Sequence, residues 1–189
     1  FKAGEAPDFE TTTSVTATVT VTDAAGLFDT QEVTVTVTNV NEAPTITSTT
    51  TEFTIAENQT AIPGATITAI DVDAGDTLTF TVSGDLLQIG TDGVLSFKAG
   101  EAPDFETTTS VTATVTVTDA AGLFDTQEVT VTVTNVNEAP TITSTTTEFT
   151  IAENQTAIPG ATITAIDVDA GDTLTFTVSG DLLQIGTDG

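Results

Sequence analysis

The sequence predicts an all-β protein, built as a tandem array of seven-stranded Greek-key β-sandwiches. Three observations carry this. Val or Ile alternates with Thr along much of the chain, the period-two pattern of strands with one dry and one wet face. Gly- and Asp-rich turns separate the alternating runs. The chain also repeats itself: Phe1 to Gly93 recurs unchanged as Phe97 to Gly189, an offset of 96 residues, and only Val94, Leu95 and Ser96 stand alone. A period of that size is a whole small domain and not a solenoid turn.

Within one repeat the strands follow in order. Phe53-Thr-Ile55 and Ala65-Thr-Ile-Thr-Ala69 are the first two. Leu78-Thr-Phe-Thr-Val82 and the shorter Gly93-Val-Leu-Ser-Phe97 come next. Val111-Thr-Ala-Thr-Val-Thr-Val117 puts Val111, Ala113, Val115 and Val117 on one face, and Val129-Thr-Val-Thr-Val133 does the same. This makes six or seven strands per repeat. Thr, about a quarter of the chain, suits the wet face because its branched Cβ favours extended backbone. Turns are expected at Asp71-Val-Asp-Ala-Gly-Asp76, Ser83-Gly-Asp85, Thr91-Asp-Gly93 and Asp119-Ala-Ala-Gly122, with Pro63-Gly64 an ordinary turn. No segment has helical periodicity. One wet and one dry face over short strands reads as a sandwich.

The natural linker is Asn39-Val-Asn-Glu-Ala-Pro44, repeated as Asn135-Val-Asn-Glu-Ala-Pro140; its Pro cannot continue a central ladder. Division there gives a C-terminal half-domain (1–43), a complete domain (44–139) and the N-terminal half of the next (140–189). Each half alone leaves an apolar face open. The expectation is therefore an interior piece of a longer identical array. The 140–189 half of one chain would pair with the 1–43 half of another, or of its own continuation.

Composition excludes several functions. With 28 acidic residues, two lysines, no arginine and no histidine, the formal charge is −26. Nucleic acid needs cationic side chains against its phosphates, and an anionic membrane surface repels this chain. Without Cys or His there is no disulfide, no zinc or haem site and no His-based catalytic set. No apolar run reaches the ~20 residues of a membrane span, and no signal peptide or lipidation motif is present. Charge this lopsided usually signals disorder, but 38% hydrophobic residues supply a core. Divalent cations are the obvious offset to the self-repulsion.

The carboxylates are not scattered. Several fall at strand ends and turns: Glu57-Asn58, Asp71-Val-Asp73, Asp104-Phe-Glu106, Asp119 and Asn135-Val-Asn-Glu138. Asp-x-Asp and Asp-x-Glu spacings put two carboxylates on one side of an extended chain, where they repel unless a cation lies between them. Oxygen-only donors select a hard ion such as calcium over zinc, copper or iron.

In chain order these segments resemble the calcium motifs of cadherins: the strand-A Glu-Asn, the Asp-x-Asp, the Asp-x-Glu, the late Asp and the Asp-x-Asn-Asp-Asn linker. The resemblance covers the whole 96-residue unit. The chain looks like the cadherin-like tandem repeats of giant bacterial surface adhesins, including the RTX type. It departs from the pattern at the linker, with Asn135 for Asp, Glu138 for Asp, and Ala139-Pro140 in place of a second Asn and spacer.

The resemblance implies a cadherin/immunoglobulin-like sandwich with calcium between successive domains. The first junction would take Asp8, Glu10, Asn39, Asn41 and Glu42 from above and Asp71, Asp73 and Asp119 from below. The second would take Glu57, Asp104, Glu106, Asn135, Asn137 (through its carbonyl) and Glu138, met by Asp167 and Asp169. The function implied is a calcium-rigidified extender or filament body of an extracellular bacterial adhesin, displayed at the cell surface. Its partners are the neighbouring identical domains.

Two other readings compete. An adhesive module recognising carbohydrate or like domains would use exposed aromatics, and Phe28 with its copy Phe124 are the candidates; Phe53, Phe80, Phe97 and Phe105 fit core or half-buried positions. An enzyme would need Asp104 and Glu106 as a glycosidase pair, but two residues apart on one strand they fit a calcium motif better. The sequon Asn58-Gln-Thr60 and the lysines Lys2 and Lys98 read as motif and solubilising residues.

Overall fold

The alternating runs become long strands paired as hairpins. The structure is a computed structural model describing residues 1–187. Strand β1 (Ser14–Thr22) pairs antiparallel with β2 (Phe28–Thr36). The next repeat holds nine extended segments: β3 (Thr45–Ile46), β4 (Glu52–Ala56), β5 (Ala61–Thr66), β6 (Ala69–Ile70), β7 (Thr79–Val82), β8 (Leu87–Ile89), β9 (Val94–Phe97), β10 (Ser110–Thr118) and β11 (Phe124–Thr134). Two short strands follow, β12 (Thr141–Ile142) and β13 (Ala165–Ile166). All regular structure among the described residues is strand or turn.

The nine segments exceed the six or seven strands the alternation suggests, for physical reasons. β3 and β4 are two pieces of one extended run, as are β5 and β6, which Ile67 and Thr68 interrupt. β8 is only three residues long, too short for its alternation to stand out. Pro63-Gly64 is not a free turn: it lies inside β5, at the edge of the three-stranded sheet, where the register with β9 shifts. An edge with a bulge is where a sheet tolerates proline.

One sheet runs β4-β11-β10-β7, the second β5-β9-β8, with β3-β6 as a short third. β4 joins β11 in parallel, Phe53 opposite Val131; the β10–β11 hairpin is antiparallel, Val115 opposite Gln127. A single apolar cluster lies between the sheets, from Phe53 and Ile55 through Ile67, Leu87, Leu95 and Phe97 to Val115, Val129 and Val131. The architecture is an all-β sandwich. Phe97 and Phe53 are buried, whereas Phe80 and Phe105 pack partly buried against the cluster. On the wet face Thr112 and Thr130 hydroxyls hydrogen-bond at 3.2 Å, a cross-strand tie repeated by Thr16 and Thr34.

Identical sequence meets two fates here. Val115 in β10 is 0% exposed, but its copy Val19 in β1 is 55% exposed. Every residue of β1 and β2 is exposed, because no second sheet covers them. The C-terminal copy shows the complement: Leu87 is 2% exposed and Leu183 is 56% exposed.

Candidate metal centres

Among the described residues, four groups of three carboxylates converge, each with its oxygen atoms within 4.8 Å of one another: Glu10, Glu42 and Asp73; Asp71, Asp73 and Asp76; Glu57, Glu106 and Glu138; Asp167, Asp169 and Asp172. The backbone explains how. Glu57 directly follows β4, beside the point where β11 runs out into the linker. Its buried carboxylate accepts from the Val136 amide at 2.7 Å and the Phe105 amide at 2.9 Å. Asn58 follows at a positive φ of 62°, a left-handed conformation that Asn tolerates better than most residues. Its side-chain amide donates to Glu138 Oε1 at 2.7 Å. The Glu-Asn pair thus gathers the 103–108 loop and the linker at one pole of the sandwich.

The opposite pole carries the Asp71–Asp76 turn and the β10–β11 hairpin turn. Asp71 Oδ1 accepts from the Asp73 amide at 3.0 Å, which sets the two carboxylates side by side. Gly75, at φ 100°, turns the chain back to Asp76. Asp119 Oδ1 accepts from the Gly122 and Leu123 amides, at 2.6 and 2.8 Å.

The first linker is bound to this second pole. Asn39 Nδ2 donates to Asp73 Oδ1 at 2.6 Å, the Glu42 amide to Asp73 Oδ2 at 2.9 Å, and Asn41 Nδ2 to Asp119 Oδ2 at 2.7 Å. Glu10, Asn39, Asn41, Asp73 and Asp76 line one open cleft there. Of the first junction's expected residues, Glu10, Glu42, Asp71 and Asp73 fall into carboxylate groups. Asn39, Asn41 and Asp119 bond across the junction. Asp8 accepts the Glu10 amide at 3.0 Å and stands outside the groups.

At the second linker Glu57, Glu106 and Glu138 converge, and so do Asp167 and Asp169, but as separate groups. They are joined by the Glu138 amide, which donates to Asp169 Oδ2 at 2.7 Å. Asp104 accepts the Glu106 amide at 2.9 Å, and Asn137 Nδ2 donates to the Glu138 carbonyl at 2.9 Å. The counterpart of the Asn39–Asp73 bond, from Asn135 to Asp169, is not formed, and Asp169 Oδ1 is buried without a partner. Sequence reasoning assigned Asp76 to a turn only and did not single out its copy Asp172. Their signal was the third Asp of Asp-x-Asp-x-x-Asp, which the glycine turn brings back beside the first two.

The electrostatics are those of crowded carboxylates. Loss of water, with Asp73 next in importance, raises the Glu42 carboxyl above its ordinary value. Loss of water raises Asp76 too, with Asp71 and Asp73 adding to it. Glu106 is raised by loss of water and by Asp104. Glu10 is raised by its hydrogen bond to Asp8 and then by loss of water. The hydrogen bond from Asn39 holds Asp73 low, and that from Asn41 holds Asp119 low.

Asp71 Oδ2, Asp76 Oδ2, Glu138 Oε2 and Asp169 Oδ1 are buried with no hydrogen-bond partner. Orphaned anionic oxygens are costly unless something positive satisfies them. The donor set is oxygen only, which suits a hard divalent cation.

Residues 41–132 match a family model described as a bacterial Ig domain. Among solved structures, the chain is similar to extracellular cadherin domains 1–4 of protocadherin gamma B7, with 21% identity, 87% of this chain and 43% of that one covered, and a TM-score of 0.60. Protocadherin gamma B2 extracellular cadherin domains 3–6 match at 23% identity, with 87% of this chain and 45% of that one covered, and a TM-score of 0.57. Drosophila N-cadherin EC1–4 matches at 21% identity, with 68% and 34% covered and a TM-score of 0.55. The chain spans less than half the length of these structures. At such identities the likeness establishes the fold, an Ig/cadherin-like sandwich.

Proposed function

We propose that this chain is a structural repeat of an extracellular bacterial surface adhesin or fibre, stiffened by calcium at its linkers. The observation that carries the reading is the set of buried, partnerless carboxylate oxygens beside each linker. Glu10, Glu42, Asp71, Asp73 and Asp76 would hold calcium at the first linker, with Asn39 and Asn41 orienting Asp73 and Asp119. Glu57, Glu106 and Glu138 would hold it at the second, beside Asp167, Asp169 and Asp172. The domain limits are those of the repeat, 1–43, 44–139 and 140–189. A cation bridging carboxylates on both sides of a short linker fixes the angle between domains, so an array acts as a rod. Two identical copies suit a spacer, which needs length and not variety. The cadherin-type fold and the bacterial Ig match support an extracellular setting. No helix among the described residues is long and apolar enough to cross a membrane.

The test is thermal unfolding of the 189-residue chain by circular dichroism, in 10 mM calcium and in chelator. Extracellular modules bind calcium at roughly 10⁻⁴–10⁻³ M, so each site adds about 1.4–2.7 kcal/mol. Tm should rise by at least ~5 °C, and Asp73→Ala should remove much of the rise. Equal Tm in both buffers overturns the calcium reading.

A second reading rests on the β10–β11 hairpin tip. Phe124 is 62% exposed and Leu123 lies beside it, also exposed, as do their copies Phe28 and Leu27. A chain that adheres through these tips loses that adhesion on Phe124→Ser with Phe28→Ser, at unchanged Tm.

A further inference from the structure

Two residues of β11 break its pattern. Val129, Val131 and Val133 are buried on the dry face, and alternation puts Asp125 and Gln127 on that same face. Both are half-buried, at positions where two more valines would simply extend the core. Their side chains hold instead the backbone of the segment that enters the domain from the first linker. Asp125 Oδ2 accepts from the Ile46 amide at 2.9 Å, while its Oδ1 accepts from the Thr126 amide at 2.7 Å. Gln127 Nε2 donates to the Ser48 carbonyl at 2.9 Å, and its Oε1 accepts from the Ser48 hydroxyl at 3.3 Å.

On its other side the same segment pairs with β6, Ile46 opposite Ala69. The Thr47 and Ser48 amides donate to the Thr68 carbonyl at 2.8 and 3.3 Å. The chain then crosses to the larger sheet, where the Thr130 amide donates to the Thr51 carbonyl at 2.8 Å and the β4–β11 ladder begins. Asp125 and Gln127 thus continue, with side chains, an attachment to β11 that the backbone makes further along.

Strand direction gives this attachment a mechanical meaning. β4 runs parallel to β11, from Glu52 opposite Thr130 to Ala56 opposite Thr134. The chain before β3 lies at the pole of the Asp71–Asp76 turn. The chain after β11 leaves at the opposite pole, beside Glu57. Tension along the two linkers therefore pulls the 45–56 segment and β11 in opposite directions along a common axis. Bonds loaded in this way are sheared together and do not open one after another. Within 45–56 the pull is greatest next to the linker, at Ile46 and Ser48. We infer that Asp125 and Gln127 form a mechanical catch, which passes tension from the incoming linker into β11 before it reaches the β4–β11 ladder. The Asp125 bond is the stronger member, because an ionised acceptor strengthens a hydrogen bond. The inference deepens the spacer reading and rests on it for the source of the tension; the catch itself uses no calcium.

Single-molecule pulling on the 189-residue chain tests this, at constant force and in 10 mM calcium throughout. The chain has no cysteine, so a pair of introduced cysteines defines where tension enters. Ala43→Cys with Ala139→Cys loads the catch. Thr50→Cys with Ala139→Cys bypasses it and loads the ladder directly. All three positions are exposed. With the first pair, Asp125→Ala combined with Gln127→Ala should raise the unfolding rate roughly tenfold or more. Gln127→Ala alone keeps the Asp125 bond, so it should raise the rate less, and it serves if the double variant does not fold. With the second pair the same substitutions should leave the rate nearly unaltered. Circular dichroism establishes that each variant is folded before it is pulled. No response with the first pair overturns the inference. So does an equal rise with both pairs, which would make the two residues structural ties outside the path of tension. The calcium reading stands or falls on Tm, and the catch on the difference between attachment points, so the two fail separately.

Discussion

Gly93 shows how closely a single position can be specified. Its φ is 77°, and a Cβ there would collide with the Ile67 carbonyl oxygen. That carbonyl belongs to the break between β5 and β6, where the Ile67 amide donates to the Gly93 carbonyl at 2.8 Å. Gly93→Ala should cost about 1–3 kcal/mol for the left-handed backbone, and more for the collision. Gly26→Ala, also at positive φ but facing open space, should cost only the backbone part; urea melts of the two variants measure the difference. The carboxylates give a second residue-scale prediction. Glu10, Glu42, Asp76 and Glu106 are raised in the folded chain, so their charged forms oppose folding and protons favour it. In chelator, stability should therefore rise as pH falls from neutral towards the ordinary glutamate value of 4.5. Asp73 and Asp119 are depressed, so their contribution is present above the ordinary aspartate value of 3.8 and is lost as pH falls below it. Tm in chelator should pass through a maximum on acidification; a Tm that falls steadily from pH 7 to 4 contradicts the assignment.

At the scale of elements, burial and not sequence decides what a valine is worth. Val131 in β11 is fully buried and its copy Val35 in β2 is exposed in the single chain. Val131→Ala should destabilise by about 2 kcal/mol, whereas Val35→Ala should leave the central sandwich within ~0.5 kcal/mol of the parent; urea midpoints of the dilute chain check both. The long strands β10 and β11 were legible because the alternation of Val or Ala with Thr over Val111–Thr118, and of Val with Thr over Val129–Thr134, leaves only one face to bury. β8 was not legible, since Leu86-Leu87 breaks the alternation and three residues carry too little pattern. The bulge in β5 was hidden for another reason: Pro63-Gly64 reads as a turn unless the neighbouring β9 is known. The site divides in the same way. Glu57, Glu106 and Glu138 stood out through motif order, but Asp76 joins Asp71 and Asp73 only through the glycine turn between them. The missing Asn135–Asp169 bond has no trace in sequence, because Asn39 and Asn135 sit in identical surroundings along the chain.

For the whole molecule, the linkers are where charge and mechanics meet. The chain carries −26 charges, and the densest clusters lie at both sides of the linkers, so without cations repulsion is greatest where the chain is thinnest. Digestion by a protease that cuts after glutamate should therefore cleave at Glu42 and Glu138 in chelator and be slowed at least tenfold in 10 mM calcium. Equal cleavage rates in both buffers would mean that the linker is no more ordered with calcium than without.

The bond from Asn41 to Asp119 joins residues 78 positions apart. The linker residue is made first, and its acceptor arrives only with the last hairpin of the following domain. At ordinary synthesis rates of 5–20 residues per second, that interval is on the order of 4–16 s. At the first linker the bonds to Asp73 can close early, but the one to Asp119 waits for the last hairpin. If the chain is the stiff array proposed above, its newest joint would lack this last bond while the joints behind it hold theirs.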